Sequence, residues 1–180
     1  MTLPQAAQVS ATTNDRAAVV LAAGHDDASR ELITRPLGDA TVVQLAVANV
    51  RKIIADDHIV VVVAPGDTTV RGLLGEGLRY VEQRDLPGTG GAVLAARAAV
   101  EALGTTPSEV LVAYADTPLL RSESLLGLLT RHTLKGADLS LLAAVVTEDL
   151  PTYGRIVRRD GEITAILEEE DRPADAYADG

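Results

Sequence analysis

The sequence predicts a three-layer α/β/α domain built on a mostly parallel sheet. Three observations point there. Continuous apolar runs at Ala17–Ala23 and His58–Ala64 suit strands buried on both faces. Segments of helical periodicity alternate with strand-like runs along most of the chain, the order that right-handed crossovers between parallel strands produce. The strand-like runs also stop at Gly24, at Pro65-Gly66 and just before Asp116, residues that turn the chain.

Each element has its own warrant. Residues 1–15 have no basic start, no apolar run and no cleavage-like site, so they read as a flexible N-terminal tail. Residues 16–180 read as one domain without an internal linker. Ala17–Ala23 is the first strand. Thr41 caps a helix through Val42–Ile54, in which Val43, Val47, Val50 and Ile54 recur at helical spacing. His58–Ala64 is the second strand, Thr68–Leu74 a short helix and Leu78–Glu82 a short strand. The alanine-rich stretch Gly90–Leu103 is helical and is entered through Pro87-Gly88-Thr89-Gly90. Glu109–Tyr114 is the third main strand, and Ser122 caps a helix through Thr133. Leu139–Val146 reads as a further strand, and Arg155–Arg158 and Glu162–Leu167 flank Asp160-Gly161 as a hairpin. The three main strands should be adjacent, parallel and central.

Composition narrows the function. A chain of 180 residues can bury one proper core. With no Phe, Trp or Cys, that core must be Val, Leu, Ile and Ala. The absence of cysteine excludes a disulfide scaffold, a thiolate metal site and a cysteine nucleophile. A net charge of −10 argues against nucleic acid as a partner, since a phosphate backbone needs a basic face. No segment approaches membrane-spanning length, so no membrane partner is expected and the expected location is cytoplasmic. Lys52 and Lys135 are the two lysines of the chain.

In folds of this class ligands bind beyond the carboxyl ends of the strands. The residues to weigh are therefore Gly24, Gln83, Asp116 and the Tyr153-Gly154 region. Taken singly, a glycine after a strand is a turn, an aspartate there is a cap or a solvated loop residue, and Gly88-Thr89-Gly90 is a flexible helix entry. Taken together and in order, five motifs resemble the sugar-phosphate nucleotidyltransferases. They are Leu21-Ala22-Ala23-Gly24, Gln83 with Leu86-Pro-Gly-Thr-Gly90, Tyr114-Ala-Asp116-Thr-Pro-Leu119, Tyr153-Gly-Arg155, and Gly161 with Glu168. The pattern is most similar to the uridylyltransferase domain of the bifunctional N-acetylglucosamine-1-phosphate uridylyltransferases, over roughly residues 17–180.

The resemblance implies a nucleotidyltransferase-like, Rossmann-like fold and a role for each motif. Leu21, Ala22, Ala23 and Gly24 would lie along the uridine and its phosphates. Gln83 would meet the uracil edge, with Gly88 and Thr89 shaping the base pocket. Asp116 would hold a magnesium ion, the implied cofactor. Tyr114, Gly154 and Glu168 would face the amino sugar. The implied ligand is a uridine nucleotide or nucleotide sugar, and a homo-oligomer or a partner subunit is left open.

The chain departs from that family at the phosphate end. The family loop reads glycine-x-glycine-threonine-arginine-methionine, with proline-lysine several residues later. Here it is shorter and reads His25-Asp-Asp-Ala-Ser-Arg-Glu31, which sets Arg30-Glu31 against the proline-lysine pair. Arg30 is then the candidate catalytic cation, although a guanidinium is not a like-for-like ammonium. Asp26 and Asp27 read as members of a solvated loop that opposes a triphosphate, or as ligands of an extra metal. Near the other end Tyr177-Ala-Asp-Gly180 stands where the family has isoleucine-asparagine-threonine-glycine, and acetyl transfer is not expected of these residues. Three readings follow: a nucleotide-binding relative with impaired catalysis, a working magnesium-dependent nucleotidyltransferase using Asp116 and Arg30, and a non-catalytic interaction or regulatory domain.

Overall fold

A computed structural model describes residues 15–24, 26–85, 87–145 and 154–167. The chain divides into two units, 1–140 and 141–180. In the first, β1 (Arg16–Ala22) leads to α1 (Asp27–Thr34), the short strands β2 (Pro36–Leu37) and β3 (Ala40–Thr41), and α2 (Val42–Arg51). Then come β4 (Ile59–Val63), α3 (Thr69–Leu74), β5 (Arg79–Glu82), α4 (Gly88–Glu101), β6 (Glu109–Tyr114) and α5 (Ser122–Lys135). The four main strands pair in the order β5-β4-β1-β6, all parallel. The fold expected from the sequence is therefore the fold observed.

Strand alternation sorts the core into two layers. Ala18, Val20 and Ala22 of β1 join Ile59, Val61 and Val63 of β4 on one face. There they meet Ile33 of α1, Val43, Val47 and Val50 of α2, Val70 and Leu74 of α3, and Leu125 and Leu129 of α5. Val19, Val60 and Val62 point the other way, onto Ala92 and Ala96 of α4. Small alanines let that single helix lie close to the sheet. Each buried valine or isoleucine contributes about 1.5–3 kcal/mol relative to exposure, which replaces what aromatic residues supply in other cores.

Four sequence expectations need correction. The strand β6 is adjacent and parallel to β1 but lies at the sheet edge among the described residues. Leu111 and Ala113 are buried, whereas Val110, Val112 and Tyr114 on its other face are exposed; α4 packs chiefly on β1, β4 and β5. Residues 139–145 form no strand; Leu139, Leu142 and Val145 are exposed, and apolar composition without a ladder partner does not make a strand. (Val146 lies outside the described residues.) The segment expected as a solvated phosphate loop is helical from Asp27 onward. Finally, His58 belongs to a 3₁₀ turn, Asp56–His58, and the strand starts at Ile59.

Helix ends shift by a turn or less. Thr41 heads α2 as expected, its amide and hydroxyl donating to the Gln44 side-chain oxygen at 2.9 and 3.0 Å. That helix ends at Arg51, although Ile54 remains buried. Arg121, not Ser122, flanks α5, its carbonyl accepting from the Ser124 and Leu125 amides. At the amino ends of β1 and β6, Arg16 donates to Glu109 at 2.7 Å and Thr133 of α5 also donates to Glu109. Burial raises the Glu109 carboxyl, but the bonds from Thr133 and Arg16, with the charge of Arg16, outweigh it and hold it below its ordinary value. No helix among the described residues is long and apolar enough to cross a membrane.

In the second unit the described residues include a hairpin, β7 (Arg155–Arg159) and β8 (Glu162–Leu167), paired antiparallel with a bulge between Val157 and Arg158. Asp160 and Gly161 both have positive φ, 52° and 86°, the backbone that a two-residue connection of this hand demands. The hairpin was legible from that dipeptide.

Candidate functional site

The carboxyl ends of β1, β4, β5 and β6 form one rim of the parallel sheet, and the candidate residues gather there. Gln83 follows β5 directly, its amide donating to the Val63 carbonyl at 3.0 Å. Its side-chain amide donates to the Gly88 carbonyl at 2.9 Å, which ties the end of β5 to the first residue of α4. Gly88 has φ of 80°, a conformation that disfavours any side chain. One residue on, the Thr89 hydroxyl lies 3.2 Å from the Tyr114 hydroxyl at the end of β6. Gln83, Gly88, Thr89 and Tyr114 thus form a continuous hydrogen-bonded arc across residues far apart in sequence. Beside Gln83 a groove of about 340 Å³ runs between Glu82–Asp85 and Gly91, Leu94 and Ala95 of α4.

Asp116 stands two residues beyond the Tyr114 end of this arc and is exposed. Its loop is held from three sides. The Ala115 amide donates to the Leu21 carbonyl at 3.1 Å, which locks the loop to the end of β1. The Thr117 hydroxyl donates to the Tyr114 carbonyl at 2.9 Å. From α2, the Asn49 side-chain amide donates to the Pro118 carbonyl at 3.2 Å. Asn49 was not singled out from the sequence, yet a signal existed: asparagine is a poor residue for the middle of an apolar helix. No group of three His, Cys, Asp or Glu among the described residues gathers as a metal cage. A lone carboxylate at an open rim still fits magnesium, which takes one or two protein carboxylates with phosphate oxygens and water.

The phosphate end is built differently from the expectation. Asp26 caps α1, its carboxylate accepting from the Ser29 amide at 2.7 Å and the Ser29 hydroxyl at 2.6 Å. Asp27 pairs with Arg30 one turn on, and Glu31 with Arg35 at 3.0 Å. Both aspartates therefore serve their own helix. Gly24, after β1, has φ of +61°, and a Cβ there would sit 2.8 Å from Arg30 Cγ and 3.1 Å from the Arg30 amide nitrogen. The Arg30 stem thus lies directly over the end of the first strand, while its guanidinium turns to Asp27. Leu21 is half-buried, and Ala22 and Ala23 are buried beneath.

Of the remaining sequence candidates, Gly154 is exposed just before β7 in the second unit. Tyr153, Glu168 and residues 177–180 lie outside the described residues.

Comparison with known proteins adds a family. The family model of the MobA-like NTP transferase domain matches residues 18–160, which crosses the boundary between the two units. The chain belongs to the MobA-like NTP transferase family. The bifunctional protein GlmU of Bacillus licheniformis is 34% identical over 160 residues, 87% of this chain and 34% of that protein. GlmU of Heliobacterium modesticaldum is 37% identical over 163 residues, again 87% of this chain and 34% of its own. The chain spans about a third of the length of these relatives. Among solved structures, mannose-1-phosphate geranyltransferase from Thermus thermophilus superposes with a TM-score of 0.63 at 20% identity, covering 86% of this chain and 50% of that one. A 4-diphosphocytidyl-2C-methyl-D-erythritol synthase gives 0.52 at 23% identity, covering 86% and 68%. Both support the fold of this MobA-like NTP transferase domain.

Proposed function

We propose that this nucleotidyltransferase domain binds a uridine nucleotide or nucleotide sugar at the carboxyl rim of its sheet, with transfer from a triphosphate strongly impaired. The observation that carries the reading is the arc from Gln83 through Gly88 and Thr89 to Tyr114, with Asp116 beyond it. The identity to GlmU proteins supports uridine and an amino sugar as the ligand halves. Gln83, Gly88 and Thr89 would take the base, Leu21–Gly24 the nucleotide backbone, and Tyr114 the sugar. Asp116 would hold magnesium, which when bound supplies charge neutralisation to adjoining phosphates.

The impairment follows from α1. The amides of a helix start attract phosphate, but here the chain's own Asp26 carboxylate takes up the Ser29 amide. Asp27 and Glu31 add negative charge, and Arg30 is already paired. Each 1.36 kcal/mol lost from transition-state stabilisation is about tenfold in rate, and lost cations and donors cost several such steps. Binding of the uridine end does not depend on them.

The Arg30 stem over Gly24 favours a second reading, a working magnesium-dependent nucleotidyltransferase in which Arg30 leaves Asp27 for the phosphates. A purely interacting or regulatory domain is the third. Calorimetry with UTP and with UDP-N-acetylglucosamine, each with and without magnesium, separates binding from its absence. Pyrophosphate release from UTP and N-acetylglucosamine 1-phosphate separates the first two readings. Slow or absent release with measurable binding is expected, and robust turnover lost in Asp116→Ala and Arg30→Ala would promote the second.

A further inference from the structure

The first turn of α4 is poorly supported by its own residues. Gly90 and Gly91 fall within it, each about 1 kcal/mol worse than alanine in a helix, and Gly88 opens it at a positive φ of 80°. The residue before it, Pro87, makes no side-chain cap. Among the described residues, Gln83 from the end of β5 and Tyr114 from the end of β6 reach this turn with their side chains.

Tyr114 reaches it from an unusual position. It shares a strand face with Val110 and Val112, which are exposed. Its ring is itself 48% exposed, so core packing does not explain a tyrosine there. Its hydroxyl contact to Thr89 crosses the open side of the site. On the proposed reading, that contact joins a residue of the base pocket to a residue of the sugar side.

Resting on that reading, we propose that the Thr89–Tyr114 hydroxyl pair is a positioning clasp that couples occupancy of the uridine side of the site to binding on the sugar-phosphate side. A base seated against Gly88 and Thr89 orders the glycine-rich turn, the ordered turn fixes the Tyr114 hydroxyl, and the sugar side is then pre-set. Coupling of this kind is reciprocal, so either ligand half strengthens the other.

The test is a thermodynamic cycle on the whole chain. Affinity for N-acetylglucosamine 1-phosphate is measured by calorimetry, with magnesium, in the presence and absence of saturating uridine, a neutral probe that brings no competing phosphate. In the unsubstituted protein uridine should tighten sugar-phosphate binding by about fivefold or more. Tyr114→Phe and Thr89→Val should each bring that ratio close to one, and the double variant should do no more than either. Thr89→Ser, which keeps the hydroxyl, should retain the coupling and guards against a folding artefact. A mere loss of one contact changes an affinity and leaves the ratio alone. If uridine binds but the ratio is near one at the outset, or survives Tyr114→Phe, the clasp is refuted while the pocket stands. If uridine does not bind at all, the uridine reading itself fails, and the clasp with it.

Discussion

Replacing Gly24 by alanine tests whether α1 is anchored on the end of β1. Two costs follow from the geometry. The residue sits at φ +61°, where a Cβ costs roughly 1–2 kcal/mol. The new methyl would also lie 2.8 Å from Arg30 Cγ, 3.1 Å from the Arg30 amide nitrogen and 3.4 Å from Ser29 Cβ. Neither Arg30 atom is the free end of a side chain, so α1 must shift, and overpacking of this kind adds about 1–3 kcal/mol. The sum is about 2–5 kcal/mol. For a chain of this length a loss of 1 kcal/mol lowers Tm by about 2–4 °C, so a fall of about 4–20 °C is expected. Gly66→Ala is the control: φ is +72° there, with nothing within 4 Å of the added Cβ, so it carries the backbone cost alone. Both variants are compared by denaturant unfolding, where a constant m-value keeps the comparison to stability. In an Arg30→Ala background the Gly24→Ala cost should shrink without vanishing, since the amide nitrogen remains. Equal costs for Gly24→Ala and Gly66→Ala would refute the anchoring argument.

Three further outcomes are expected. Asp26→Ala should cost about 1 kcal/mol through loss of the α1 cap, and Asp26→Ser much less; equal losses in urea unfolding would deny Asp26 a capping role. Glu109 has its carboxyl held below the ordinary value, so its contribution is present above the unfolded-state value, about 4.3, and is lost as pH falls through the folded value. Wild type should therefore lose more stability than Glu109→Gln as pH falls below about 4.3, and parallel pH profiles would speak against the Arg16–Glu109–Thr133 network. Asn49→Ala should raise the magnesium concentration needed for half-maximal nucleotide binding with Tm moved by only a few degrees, because the Asp116 loop loses its tie to α2. An unchanged magnesium titration would make Asn49 a packing residue only.

The fold was readable because its signals are local. A run such as Ile59–Val63 is apolar on every residue, which suits a strand covered on both faces and little else. The Asp160-Gly161 turn is equally local, since positive φ at both positions restricts the residues that fit. What failed depended on neighbours elsewhere in the chain. Glu109–Tyr114 and Leu139–Val146 look alike as apolar runs, yet β6 pairs with β1 and residues 139–145 pair with nothing among the described residues. Composition does not say which strand becomes an edge. The rim arc was legible only in part: Gln83, Thr89 and Tyr114 could be named, but not their mutual hydrogen bonds, and Asn49 gave only the faint signal of a misplaced amide.

The expectation of a solvated loop at Asp26–Arg30 failed because these residues were weighed against the family loop and not as a helix start. Against the family loop, Asp26 and Asp27 look like charges in the wrong place. Read as a helix start, the same residues make sense: an aspartate cap, a second aspartate in the first turn, and Arg30 three residues after Asp27. Ile33 then turns inward and is buried against the core. A helix that supplies its own anion in Asp26 has less need of a bound phosphate to complete its first turn. On the proposed reading, the cap that stabilises α1 also takes up an amide that a triphosphate would use. On that reading, stability and phosphate binding would compete for the same amides, and here the amide of Ser29 is held by Asp26.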